Sequence, residues 1–238
     1  MVLVFPVKIN EVLEYCISDR ITGEIVEAGT IVPAKTVTSW GKNQLAGLLS
    51  EQYSSYYYID EMRCKIGGAI HTFDVTKSRS GSTLVITSET ISVAGTYSAV
   101  MCGNPSATSN YHNSIATTIV LGSNQDVQFI VKFTFTGIDV TGRYICASRL
   151  GDISDGYNTY LSSIAVHKDP DEATVDASTS VSNNTLTLTQ ISPFTENTKY
   201  YRFRAVSAAG YEFHEFTGTT VTLGIGQELS VEMRFVFQ

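Results

Sequence analysis

From Val127 to Phe135 apolar and polar side chains alternate. Val127, Phe129, Val131, Phe133 and Phe135 fall on one face, Gln128, Lys132 and Thr134 on the other, with Ile130 the exception. Period two over so long a run predicts a strand with one buried face. Leu229, Val231, Met233, Phe235 and Phe237 repeat the pattern against Ser230, Glu232 and Arg234. The likeness extends to identity. Residues 117–135 and 219–237 align without a gap at an offset of 102, and seven of 19 positions match, among them Leu121/Leu223, Gln125/Gln227, Phe133/Phe235 and Phe135/Phe237. The same offset pairs Thr83–Thr87 with Thr185–Thr189 and Tyr58-Ile59 with Tyr160-Leu161. A fixed offset over so much of the chain points to an internal duplication.

Further strands follow the same logic. Thr83–Ile91 and Thr185–Ile191 read as one equivalent pair, Tyr97–Cys102 and Lys199–Val206 as another. Gly, Asn, Ser and Pro clusters separate them, as at Ser80-Gly81-Ser82 and Ser182-Asn183-Asn184. Short strands with turn signals at this spacing predict sandwiches or barrels. The expected fold is mainly β: two tandem, duplicated antiparallel β-sandwich modules at 53–137 and 157–238. Leu84, Phe133 and Phe135 and their counterparts Leu186, Phe235 and Phe237 are the expected core positions. The joining segment 138–156 carries one expected strand, Arg143–Ser148. Residues 1–52 differ. Glu11–Ser18 and Glu24–Val32 flank Asp19-Arg20-Ile21-Thr22-Gly23, which reads as a hairpin with a positive φ at Gly23. Ser39 is expected to cap one short helix whose apolar face is Leu45, Leu48 and Leu49.

Composition narrows the function. Charged residues are only 16% of the 238, against about 25% in typical domains, while more than fifty are Ser or Thr. Such a balance suits polar strand faces. A net charge of −7 with scattered Lys and Arg gives no footprint for nucleic acid. No apolar run is long enough to span a membrane as a helix, and the opening MVLVFPVKINE has no basic n-region or cleavage site, so no signal peptide is expected. Cys16, Cys64, Cys102 and Cys146 lack C-x-x-C spacing. Cys64 and Cys102 correspond to Val166 and Arg204 in the second copy, so free thiols are expected.

The order of the N-terminal elements carries a resemblance. Asp19…Thr22-Gly23-Glu24, then Val37-Thr38-Ser39-Trp40-Gly41-Lys42-Asn43-Gln44-Leu45-Ala46-Gly47-Leu48-Leu49, then an expected Tyr-rich strand Tyr56–Ile66 ending in Gly67-Gly68, resembles the opening of tailed-bacteriophage virion proteins. It covers about residues 10–70. It implies a structural component of a tail, collar, connector or head surface, and no functional residue carries over.

The search for chemistry finds little that points to catalysis. There is no G-x-S-x-G elbow and no phosphate-binding loop: Gly67-Gly68 and Gly224-Ile225-Gly226 lack the helix and lysine that would follow. His112 and His214 match at the offset of 102 and read as retained loop histidines, since a metal site wants three or four ligands. Asp152…Asp155 and Asp169-Pro170-Asp171-Glu172 lack the calcium-loop pattern. Tyr53, Tyr56, Tyr57, Tyr58, Tyr157 and Tyr160 divide between core and interface, or stack on sugar rings. A sandwich glycosidase would need two carboxylates across a cleft, and no pair stands out. The expectation is a non-enzymatic virion protein without catalytic residues, metal or cofactor, made in the host cytoplasm. Its partners would be other virion proteins and copies of itself, not nucleic acid or membrane, with Trp40, Leu45, Leu48 and Leu49 as assembly contacts. The alternative is a carbohydrate-binding or host-adhesion module.

Overall fold

The computed structural model describes residues 1–33, 36–50, 57–107, 109–168 and 170–238. Its elements run β1 (Val2–Asp19), β2 (Ile25–Ile31), α1 (Ser39–Leu49), β3 (Glu61–Ile66), β4 (Ala69–Ser80), β5 (Thr83–Ser88), β6 (Gly95–Gly103), β7 (Ile115–Leu121) and β8 (Gln125–Thr136). Then come α2 (Val140–Gly151), β9 (Leu161–Lys168), β10 (Glu172–Ser182), β11 (Thr185–Gln190), β12 (Lys199–Ser207), β13 (Glu212–Phe216), β14 (Val221–Thr222) and β15 (Glu232–Phe237). The chain is mainly β, and its strands join one curled sheet.

β1 is the seam of that sheet. Its first residues, Val2–Val7, pair in parallel with β15; from Lys8 to Asp19 it pairs antiparallel with β8. At about 3.3 Å per residue, its 18 residues are long enough to serve both partners. The N-terminal segment therefore lies inside the body of the sheet. β2 closes the expected hairpin onto β1, with Gly23 at φ +73 and the Asp19 carboxylate accepting from the Ile21 and Thr22 amides.

Read inward from either edge, the strand order is the same: β7-β6-β3-β4-β5-β8 on one side of β1 and β13-β12-β9-β10-β11-β15 on the other. Pairings recur at the offset of 102. Leu84 lies opposite Phe133 and Leu186 opposite Phe235. The Phe135 amide donates to Ser82 O at 3.0 Å and that of Phe237 to Asn184 O at 2.9 Å. Gly81 and Asn183 turn their hairpins with φ +58 and +54. All six expected core positions are buried in one continuous apolar cluster.

Two expectations are corrected. Arg143–Ser148 is not a strand but part of α2, so the described residues form two helices and not one. A short apolar run fits either period; here Ile145 and Ser148, and Cys146 and Leu150, are buried at helical spacing, and Asp152 ends the helix in the left-handed region at φ +49. The cap of α1 is Thr38, one residue earlier than expected: its backbone is extended and its hydroxyl accepts from the Gly41 amide at 2.9 Å.

Each helix rests on the far half of the sheet. α1, which precedes β3, packs on β10, β11 and β15; α2, which precedes β9, packs on the corresponding β4, β5 and β8 and also on β13. The helices touch each other as well. The Arg149 guanidinium of α2 donates twice to Leu48 O near the C-terminus of α1, at 2.9 and 2.6 Å, where a cation also suits the helix dipole.

Candidate functional site

On β1 the odd-numbered residues face the core, and Val7 and Leu13 are fully buried. Glu11 occupies the same face and is only 5% exposed. Burial raises its carboxyl above the usual range, while the Thr36 hydroxyl, the Asn113 side chain, the Val37 backbone and the charge of Lys42 pull back towards the ionised form. Thr36 Oγ1 donates to Glu11 Oε2. The Asn113 amide stands close enough to favour the carboxylate, yet neither Glu11 Oε1 nor Asn113 Nδ2 completes a well-aligned hydrogen bond, and Asn113 Oδ1 accepts from the Cys102 amide at 2.6 Å. An unpaired carboxylate oxygen at such depth is costly unless something supplies a donor.

Glu11 lies in the lining of an open pocket of about 550 Å³. Ile9, Val32, Val37 and Phe237 supply apolar walls, and Asn10, Asn184, Gln238 and Lys42 the polar groups. A second pocket, about 570 Å³, adjoins it through Lys42 and Asn184 and adds Ser39, Trp40, Asn43 and Asn183. The site is thus built where β1 crosses between the halves, the first turn of α1 begins and the β10–β11 hairpin turns. Its C-terminal edge is pinned: the Gln238 amide donates to Val7 O at 2.9 Å, and Asn184 Nδ2 to Phe237 O at 2.7 Å.

The matched histidines occupy corresponding places beside the two helix starts. The Thr38 amide donates to His112 O at 2.9 Å, and the His112 ring meets Trp40 edge to face at 4.9 Å. His112 is buried, and burial lowers its pKa to about 3, so the ring stays neutral. His214 Nδ1 lies 3.1 Å from Asp139 Oδ2 at the start of α2, and that same oxygen accepts from the Glu215 amide at 2.8 Å. Both histidines serve the junction of a helix with the sheet. Among the described residues, no group of three or more His, Cys, Asp or Glu is arranged to hold a metal ion.

The other expected residues are dispersed. Trp40 is half-buried at the rim of the second pocket, whereas Leu45, Leu48 and Leu49 are buried in the chain's own core. Tyr53, Tyr56 and Asp169 lie outside the described residues. Tyr57 and Tyr58 pack against the core, with Lys77 Nζ 4.6 Å from the Tyr58 ring centre. Tyr160 is half-buried. Tyr157 joins a cluster that the sequence did not reveal: the Arg79 guanidinium lies 4.8 Å from the Tyr144 ring and 4.9 Å from Tyr157 and bonds Asp155 at 2.8 Å. Burial tends to raise the Asp155 carboxyl, but Arg79, the Tyr157 amide and Ser148 hold it below the usual range. Asp152 Oδ1 accepts from Asn158 at 3.0 Å, so both of these acids are engaged within the fold. The cysteines are free thiols; burial pushes Cys64 up to about 12 and raises Cys102 and Cys146 further from reactivity.

Sequence reasoning missed Glu11, although its signal was present: one carboxylate interrupts the apolar face Val7, Ile9, Leu13 of an alternating strand. Lys42, Asn184 and Gln238 carried no such signal, because only folding brings them together. No family model, no curated protein and no solved structure matches the chain. No helix among the described residues is long and apolar enough to cross a membrane.

Proposed function

We propose that the protein is a non-catalytic structural subunit that assembles in several copies, in the virion of a tailed bacteriophage as its N-terminal resemblance implies. The observation that carries this reading is a groove of about 620 Å³ between two strand edges. β2 pairs only with β1 and β7 only with β6 among the described residues, and the groove between them is lined by Tyr15, Glu27 and Ile31 on one side and Ala116–Val120 on the other. Ile25, Val26 and Val120 nearby are 69%, 56% and 66% exposed. Unpaired edges offer backbone donors and acceptors that an extended segment of a neighbour completes. The occupant is a second copy of this chain, and repeated contacts of that kind close into rings.

The two like halves suit a building block. We infer that they descend from one duplicated sandwich module, a reading supported by the matching pairs Leu84–Phe133 and Leu186–Phe235. Native mass spectrometry and electron microscopy of the purified chain test the assembly. A closed oligomer is expected, with Val120→Glu and Ala116→Glu breaking it while the fold is retained. A chain that stays monomeric at all concentrations, or is absent from purified phage particles, overturns the reading.

A further inference from the structure

The second half carries an exposed side chain that its twin in the first half lacks. Gly224-Ile225-Gly226-Gln227 lies between β14 and β15, and Gly122-Ser123-Asn124-Gln125 is its counterpart at the offset of 102. Both turns use one hydrogen-bond frame. The Gln227 amide donates to Gly224 O at 3.1 Å, and the Gln125 amide to Gly122 O at 3.2 Å. In return the Gly224 amide donates to Gln227 Oε1 at 2.6 Å, and the Gly122 amide to Gln125 Oε1 at 2.9 Å. The first and fourth residues make the frame, so it places no demand on the second. Serine there is an ordinary choice for an exposed turn. Ile225 is instead 92% exposed, more than any other large apolar side chain among the described residues.

The halves differ in the opposite sense across the sheet. β1 lies beside β15 in the second half as it lies beside β8 in the first. In the second half Phe5 of β1 meets His214 at 4.4 Å and Phe216 at 5.8 Å, so aromatic rings bridge β1 and β13. Ser114 stands in the first half where Phe216 stands in the second, and there the groove of about 620 Å³ between β2 and β7 is open. Tyr15, Ile31 and Val120 supply its apolar walls. One half thus presents an apolar knob without a cover, and the other an apolar groove.

Unlike surfaces that fit each other make a head-to-tail contact between copies. The turn is already fixed by its two hydrogen bonds, so docking orders little that was loose. Ile25 and Val26 are also well exposed, but they belong to β2 and so to the wall of the groove itself.

We propose that the β14–β15 turn of one copy docks in the β2–β7 groove of the next, with Ile225 as its anchor. The proposal rests on the assembly reading above and makes the contact heterologous: each copy uses its knob once and its groove once.

Sedimentation velocity and native mass spectrometry of the full chain test it. Ile225→Ser, the residue of the twin turn, should keep the parent melting temperature and weaken association by about thirtyfold or more. Ser123→Ile should change nothing, and Ala116→Glu should separate the copies. Mixed in equal amounts, the Ile225→Ser and Ala116→Glu chains should form a heterodimer that grows no further, because one intact knob and one intact groove remain between them. If Ile225→Ser assembles like the parent, the proposal is overturned; with Ala116→Glu monomeric, groove-to-groove pairing then holds the copies and the assembly reading survives. A mixture that stays monomeric also overturns it. A parent chain that is monomeric at every concentration overturns the proposal and the assembly reading together.

Discussion

Gly41, in the first turn of α1, lies so close to His112 that a Cβ built on it would stand 2.3 Å from the His112 carbonyl oxygen. Gly142 stands in the same relation to Phe213, with a Cβ 2.0 Å from that carbonyl oxygen. Backbone meets backbone at both points, so no rotamer change relieves the contact. α1 thus starts against the backbone of the β6–β7 connection and α2 against that of β13, and a side chain of any kind would move either helix.

Gly41→Ala and Gly142→Ala should therefore both destabilise. Alanine gains about 1 kcal/mol over glycine in helix propensity, but forced displacement of packed backbone costs about 1–3 kcal/mol or more. Urea unfolding should show a net loss for both variants. A gain in either would mean that the helix can slide freely on its sheet.

Phe133→Ala and Phe235→Ala should cost similar amounts, about 3–5 kcal/mol each. Both rings are essentially fully buried, opposite Leu84 and Leu186 respectively. Equilibrium denaturation of the two variants measures this, and a large disparity would separate the environments of the two halves.

Acid should unfold the protein partly through His112. Its folded pKa, about 3, lies below the unfolded value of about 6.5, so the unfolded chain binds the proton first and stability falls as pH drops from 6.5 towards 3. Between pH 7 and pH 4 this amounts to about 3 kcal/mol. Glu11 acts in the opposite sense: its raised pKa favours the folded state as pH falls towards the ordinary carboxylate range. Chemical denaturation across this range should show a shallower acid loss in His112→Asn than in the parent chain, and a steeper one in Glu11→Gln.

Removal of residues 233–238 should abolish folding. It deletes Met233, Phe235 and Phe237, all fully buried, each contributing about 1.5–3 kcal/mol against a total stability of about 5–15 kcal/mol. It also takes away β15, which joins β11 to β1. A truncated chain with the parent melting temperature would contradict the placement of β15 in the sheet.

What the sequence determined by itself was local and periodic. Alternation at 127–135 specifies which face of β8 is buried, because successive side chains on a strand point to opposite sides. Glycine at 23 marks a hairpin for an equally local reason, its tolerance of φ +73. The offset of 102 likewise revealed positions that take equivalent partners, since equivalent sequences make equivalent strands. The N-terminal nine residues were harder to read, for β1 switches partners midway and serves two halves at once. The period of α2 was hidden in a run short enough to suit a strand.

Long-range placement was decided only in three dimensions. That α1 rests on β10, β11 and β15 while α2 rests on β4, β5 and β8 depends on apolar faces meeting across the seam, and hydrophobic burial is non-directional: any complementary face would serve as far as the sequence shows. The candidate groove follows from the same cause. Asn10, Lys42, Asn184 and Gln238 are far apart in the chain and become neighbours only because β1 draws the C-terminal strand, the β10–β11 turn and the start of α1 to one place. Glu11 alone left a trace in the sequence, missed there, as a charge on a face that the rest of its strand reserves for the core.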